Sequence, residues 1–435
     1  MDLRILRRAG RSQLRGRLSG LAASFGRDAS GAVALMLGIL LLPLLMLISF
    51  GIDYTASTKA SAELDAAADA AVLSVVTRSG LALSAEDARV AAEQYFRSTV
   101  SGGKAALSVD VKADVKDKDG VRSAEIRFTA ATPTSIMSLL GFRSLPLEGI
   151  AKAQSPAPVY RDFYLLLDNS PSMGLAATQA DITKMEKNTG CAFACHDLSS
   201  KGNDLYAKAK TLGVQMRIDL VRNAAMSLMD RMDEKAMVKK QFRSAIYTPG
   251  TDCTKLGLTE IAGLSGEHNA NKNKAKNIDL MTIPYQGYYD DQCTDFDGSF
   301  AKLSEKIQSP GNGATETSPL KVVFFVSDGV ADANTPYTCS KKLSGKTRCQ
   351  EPIKESTCKL LKDRGIKVAV LYTTYRPINN DWYRSWIAPF QPTIGTRMSA
   401  CASPDLYTEV QVGDDITTAL NKLFDKALAQ TRLTQ

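Results

Sequence analysis

The sequence predicts an α/β protein in three parts: an N-terminal transmembrane helix, a small α+β module, and a doubly wound, mostly parallel sheet with insertions. Three observations predict it. A basic tail runs into a long uncharged apolar stretch, a helical pattern followed by alternating segments comes next, and from Tyr160 onward short apolar runs alternate with amphipathic ones. Strands alternating with helices are the mark of a parallel sheet covered on both faces. At 435 residues the chain exceeds one ordinary domain. Its 44% hydrophobic and 23% charged residues are normal for globular protein.

The net charge of +8 is concentrated at one end. Residues 1–27 hold seven arginines (Arg4, Arg7, Arg8, Arg11, Arg15, Arg17 and Arg27) and one acid, Asp2, so six of the eight charges lie there. The body is nearly neutral, and no aromatic-plus-basic module accompanies the tail, so nucleic acid is not an expected partner. Residues 28–53 are the expected membrane segment. Its core, Ala32 to Phe50, would span about 28 Å as a helix, close to the hydrocarbon thickness. A cleaved signal peptide is the competing reading; the run is longer than a usual signal segment, and no clear small-x-small cleavage site follows before Asp53. Arginines are retained in the cytoplasm, which places the rest of the chain in the periplasm and the protein in a bacterial inner membrane. All eight cysteines (Cys191, Cys195, Cys253, Cys293, Cys339, Cys349, Cys358 and Cys401) lie on that exported side, where an even count suggests disulfides whose pairing the sequence leaves open.

Residues 54–78 read as an Ala-rich helical stalk. Leu64, Ala68, Ala71, Val72 and Val75 form one apolar stripe, suited equally to its own neighbour or to a partner's helix. Residues 79–155 read as the α+β module. Ser84 with Asp87 caps a helix running to about Thr99. Leu107–Val115 and Arg122–Ala130 form a hairpin around an Asp-Lys-Asp-Gly turn, and a strand over Leu145–Ala153 follows a short apolar turn at Ile136–Leu140. No chemistry is expected here. Ser155-Pro156-Ala157-Pro158 is a linker.

Residues 160–430 form the α/β part. Strands are expected at Phe163–Leu167, Phe242–Tyr247, Val322–Val326 and Lys367–Thr373. Helices are expected around Val214–Met232, Phe296–Ile307, Ile353–Lys362 and Ile416–Leu428. Two polar insertions, about 175–212 and 249–292, interrupt this core and should need disulfide staples.

The first strand runs into Asp168-Asn169-Ser170-Pro171-Ser172, an Asp-x-Ser-x-Ser sequence, and the Val322 strand into Ser327-Asp328-Gly329. Both acids therefore fall at the carboxyl edge, where open α/β sheets bind ligands. Two carboxylates and several hydroxyls at one edge make a hard oxygen site for Mg²⁺, with Mn²⁺ and Ca²⁺ as the alternatives.

These residues resemble the metal-ion-dependent adhesion site of von Willebrand factor A domains, and residues 160–430 resemble such a domain. The resemblance implies that Asp168, Ser170, Ser172 and the late Asp328 surround the ion, together with a threonine from a second loop. Thr294, ahead of the Phe296 helix, is chosen for that role over Thr315 and Thr317, which precede the Val322 strand and so fall nearer the opposite edge. At the N-terminus, Arg27-Asp28-Ala29-Ser30-Gly31-Ala32-Val33-Ala34, the apolar span, Gly51-Ile52-Asp53-Tyr54 and Ala66-Ala67-Ala68-Asp69-Ala70-Ala71 resemble the TadE/TadG-like segment of tight-adherence (Flp) pilus systems. With a C-terminal von Willebrand factor A domain, the combination is similar to TadG-like proteins. It implies a non-enzymatic assembly or anchoring factor whose partners are pilins or pilus-assembly proteins. The alternative is a surface adhesin that touches host or abiotic surfaces directly.

Three other signals carry less. Cys191-Ala192-Phe193-Ala194-Cys195-His196 has one residue too many for haem attachment, and a local or cross-loop disulfide is expected there instead. Ser170 has no histidine near it in sequence to act as a base, which disfavours a hydrolase. Gly311-Asn312-Gly313 lacks the Lys-Ser/Thr of a phosphate loop.

Overall fold

The computed structural model describes residues 30–429 apart from 102–107, 119, 136, 194–195, 200–203, 286–291 and 376–380. The basic tail over residues 1–27 lies outside the described residues. The chain divides into two compact units, one of residues up to 116 together with 122–155, and one of residues from 156 together with the hairpin turn over 117–121.

In the first unit, one continuous helix, α1 (Ser30–Val76), joins the expected span to the expected stalk and passes through Pro43 unbroken. Over the expected span its large apolar side chains are exposed, and the helix is long and apolar enough to cross a membrane. Over the stalk the stripe Leu64, Ala68, Ala71, Val72 and Val75 is buried by the module itself, against Ala88, Ala92 and Phe96 of helix α2 (Ala85–Ser101). Of the two stalk readings, the structure supports the self-packed one. The Ser84 hydroxyl accepts the Asp87 N–H at 3.1 Å and so caps α2. Strands β1 (Ser108–Lys118), β2 (Val121–Pro133) and β3 (Ser144–Pro156) form a sheet in that order. Ile126 and Phe128 lay the inner face of β2 onto the helices. Gly149 of β3 has no room for a side chain, since a Cβ there would stand 2.4 Å from the Phe128 ring.

The second unit is a six-stranded sheet with helices on both faces. Its strands are β4 (Arg161–Leu167), β5 (Phe242–Gly250), β6 (Leu256–Ser265), β7 (Leu320–Ser327), β10 (Lys367–Thr373) and β11 (Tyr407–Val410), in the spatial order β11-β10-β7-β4-β5-β6. All neighbours are parallel except β5 and β6. Phe163 pairs with Val322 on one side and Ser244 on the other, so β4 is central. Its uniformly apolar run follows from burial on both faces. Phe163, Leu165 and Leu167 face helices α5 (Arg217–Lys235) and α10 (Ile416–Ala429), where Phe163, Phe242 and Phe424 make edge-on ring contacts with centroids 5.1 to 5.9 Å apart. Tyr164 and Leu166 face α7 (Phe296–Lys306), α8 (Glu355–Lys362) and α9 (Gln391–Cys401).

The two expected insertions need correction. The first holds helices α3 (Gln179–Thr189) and α4 (Leu205–Thr211), and Ile182, Met185 and Tyr206 join the main core. The second contains β6 and helix α6 (His268–Ala275), which belong to the sheet and its cover. As an antiparallel edge strand with two glycines, β6 needs only scattered apolar residues, so its sequence reads as loop. A hairpin of β8 (Val330–Asn334) and β9 (Arg348–Pro352) also follows Asp328 unannounced. Disulfides join Cys253 to Cys293, Cys339 to Cys349 and Cys358 to Cys401, the first of them stapling the second insertion as expected. Cys195, in the motif with Cys191 where a disulfide is expected, lies outside the described residues; among the described residues Cys191 makes no disulfide.

Candidate metal centre

The site grows from the ends of β4 and β7. Asp168 continues the β4 ladder by donating its N–H to the Val326 carbonyl at 2.9 Å. The chain then turns sharply. Asp168 Oδ1 accepts the Ser170 N–H at 2.9 Å, and a 3₁₀ turn over Pro171–Gly174 brings the Ser170 and Ser172 hydroxyls to 3.0 Å from each other. Asp168, Ser170 and Asp328 are all fully buried. Gly329 follows Asp328 at φ +74°, a conformation that favours glycine, and a Cβ there would stand 2.8 Å from Ile394. That turn hands the chain from β7 into β8 and leaves Asp328 at the edge.

Ser327 joins the two loops. Its hydroxyl donates to Asp168 Oδ2 at 2.6 Å and accepts the Gly329 N–H at 2.9 Å. Asn169 locks the first loop from behind, donating to the Gly250 and Asp279 carbonyls at 2.7 and 3.1 Å. Neither role shows in the sequence, although both residues stand inside the two motifs. Arg217, at the start of α5, is a third unexpected participant. It is buried, its N–H bonds to the Leu175 carbonyl at 3.0 Å, its guanidinium donates to the Thr374 carbonyl at 2.6 Å, and its charge reaches Asp328.

Burial holds the Asp168 carboxyl above its usual range, against hydrogen bonds from Ser327 and Ser170 that favour the charged form. Asp328 is pushed up to about 7 by burial and then by the neighbouring Asp168 charge, with the Arg217 charge and a hydrogen bond from Ser172 acting the other way. Asp328 Oδ1 accepts the Val330 N–H at 3.2 Å, but Asp328 Oδ2 is buried with no hydrogen-bond partner among the described residues. Two desolvated carboxylates with one orphaned oxygen make a site short of positive charge. The donor set of Asp168, Ser170, Ser172 and Asp328 fits a hard divalent cation.

Thr294 is buried and tied to the segment beyond Asp328. Its N–H donates to the Asp332 carbonyl at 2.7 Å, and its carbonyl accepts the Asp332 N–H at 3.0 Å. Thr315 and Thr317 bond to each other in the turn before β7, beside Gly313, whose carbonyl accepts the Tyr160 N–H just ahead of β4. That is the amino edge of the sheet, away from the two acids. Of the two histidines, His268 bonds Asp233 at 2.6 Å in the α5–α6 contact, and His196 pairs along its backbone with Thr282.

The second unit is thus an α/β domain with a hard-oxygen site at the carboxyl edge of its central strands. Residues 31–78 match the family described as putative Flp pilus-assembly TadE/G-like, so the chain carries a TadE/G-like segment there. Among solved structures, the chain is similar to the PilB minor pilin from Streptococcus sanguinis, at 11% identity and a TM-score of 0.35, over 75% of this chain and 78% of that one. It is also similar to the vWF domain of the type V pili tip protein Mfa5 from Porphyromonas gingivalis, at 10% identity and a TM-score of 0.37, over 63% of this chain and 97% of that one. Comparison with the curated proteins finds no match.

Proposed function

We propose that the chain is a non-enzymatic assembly or anchoring factor for a tight-adherence pilus, with a von Willebrand factor A-type domain that binds protein partners through a Mg²⁺-dependent site. The N-terminal tail stays in the cytoplasm, α1 crosses the bacterial inner membrane, and the rest stands in the periplasm. The strand order, with a single antiparallel edge strand, and the two acids at the carboxyl edge support the domain reading. The observation that carries the binding reading is the buried carboxylate pair with Asp328 Oδ2 unpartnered among the described residues.

Asp168, Ser170, Ser172 and Asp328 would hold the ion, with Thr294 completing the set from the neighbouring loop. A bound Mg²⁺ supplies an electrophile able to take an acid from a partner. The chain's own residues prepare for it. Ser327 orients Asp168, Asn169 fixes the loop that presents both serines, and Gly329 sets the turn that aims Asp328. The test is recovery of pilus components on the full chain in detergent, with Mg²⁺, with chelator, and with Asp168→Ala. Chelator and substitution should each lower recovery. Equal recovery in all three would remove the metal-dependent reading while leaving the pilus association intact.

A further inference from the structure

The first unit carries an apolar tip that meets α1 where its exposed apolar stretch ends. The tip is the 3₁₀ turn Met137–Leu140, reading Met-Ser-Leu-Leu, followed by Gly141, Phe142 and Arg143. Phe142 is 61% exposed, a large apolar ring held in the open on a loop. Its position along the helix is set by Asp53, the first acid after the span. Asp53 is 3% exposed, and its carboxylate accepts the N–H groups of Ser135 at 2.9 Å and Met137 at 3.0 Å. One turn nearer the N-terminus, Ser49 is also only 3% exposed, although Leu47, Ile48 and Phe50 around it stand open. The short turn packs on α1, so the burial of Ser49 puts the module's edge alongside the last turn of the apolar span.

The distances then fix the environment. Asp53 lies three residues beyond Phe50, about 4.5 Å along a helix. The interfacial band of a bilayer leaflet is roughly 5–7 Å thick. The tip therefore stands in that band or deeper. Its backbone is prepared for a place short of water: Gly141 donates to Ser138, Phe142 to Met137 and Thr134 to Arg143, each through its N–H to a carbonyl, and the Thr134 hydroxyl closes the base on the Phe142 carbonyl. At the same level Phe50 and Tyr54 stack with centroids 5.9 Å apart, both more than half exposed, as interfacial aromatic anchors do.

We propose that this tip is a second membrane contact: Phe142, on the loop that leaves the short turn, inserts into the outer-facing interface of the bilayer that α1 spans, with Arg143 at the phosphate level. Pinned through Asp53, it holds the α+β module at one fixed face of α1 against the lipid surface. The inference rests on the membrane reading of α1, and the experiment separates the two. The full chain is placed in phosphatidylcholine–phosphatidylglycerol vesicles with and without lipids brominated near the head of the acyl chain. Tryptophan is introduced by Phe142→Trp, Tyr54→Trp or Ile150→Trp, and the change is read as the difference from the parent with Trp382 and Trp386 alone. Bromolipid should quench the introduced fluorescence in Phe142→Trp to the same degree as in Tyr54→Trp, and leave it unchanged in Ile150→Trp, six residues into β3. Quenching in Tyr54→Trp without quenching in Phe142→Trp overturns the tip contact alone. Equal quenching in Ile150→Trp overturns a contact confined to the tip. No quenching in Tyr54→Trp removes the membrane reading, and the proposal with it.

Discussion

Asp328→Asn should stabilise the metal-free α/β domain at neutral and alkaline pH and abolish its stabilisation by Mg²⁺. The Asp328 carboxyl is raised from an ordinary 3.8 to about 7, by burial first and the Asp168 charge second. Between those values the folded protein holds a proton that the unfolded chain has lost. Folding stability therefore falls as pH rises from about 4 to about 7, and the loss is complete above 7. Three pH units at ~1.4 kcal/mol each place about 4 kcal/mol of destabilisation on this carboxylate at pH 8. Asparagine carries no charge to desolvate, keeps an oxygen for the Val330 N–H, and can turn its amide toward neighbouring acceptors. The assay is guanidinium unfolding of the full chain in detergent with chelator, at pH 5 and pH 8. Both tryptophans, Trp382 and Trp386, lie in the second unit and report on it. The variant should gain several kcal/mol over wild type at pH 8 and much less at pH 5. With Mg²⁺ at 100 times its dissociation constant, wild type should recover about 2.7 kcal/mol and the variant nothing. A variant no more stable than wild type in chelator at pH 8, or one that keeps the full Mg²⁺ response, would refute the argument.

Two further predictions concern the same domain. Asp162, fully buried at the amino edge of the sheet, takes a bidentate pair from Arg243 at 2.7 and 2.8 Å and a bond from buried Lys321 at 2.6 Å. Asp162→Ala strands the lysine charge and should cost about 3–5 kcal/mol in the same unfolding assay, without moving the Mg²⁺ response. The Cys358–Cys401 bond ties α8 to α9 across 43 residues of chain, so replacing both cysteines by alanine should cost about 4 kcal/mol, read as a lower unfolding midpoint that added thiol shifts less than it shifts wild type, since only the other two disulfides are left to reduce.

Much of this molecule was legible because some residues answer to one constraint only. A long uncharged run that is apolar on every side is readable from composition alone, so α1 shows itself as a helix long and apolar enough to cross a membrane. The strands β4 and β7 are covered on both faces and read as unbroken apolar runs, and Asp168 and Asp328 were placed at the sheet edge simply by following them. Ser84 caps its helix through neighbours in sequence, and that too is local. What stayed hidden depends on partners far along the chain. The edge strand β6, half covered and glycine-containing, has the composition of a loop. Ser327 became an orienting group only because β7 lies beside β4 and brings its hydroxyl to Asp168, 159 residues away. Arg217 enters the site through a helix start and a carbonyl 157 residues distant. Cysteine pairing depends on which loops meet, and eight cysteines in sequence do not specify that. Asp53 is the plainest case: by sequence it only ends a hydrophobic run, while the fold uses its carboxylate to seat an apolar turn more than eighty residues later. Local patterning decided what each segment is, and long-range packing decided what each buried polar group is for, because a polar group out of water must find whatever partner the topology supplies.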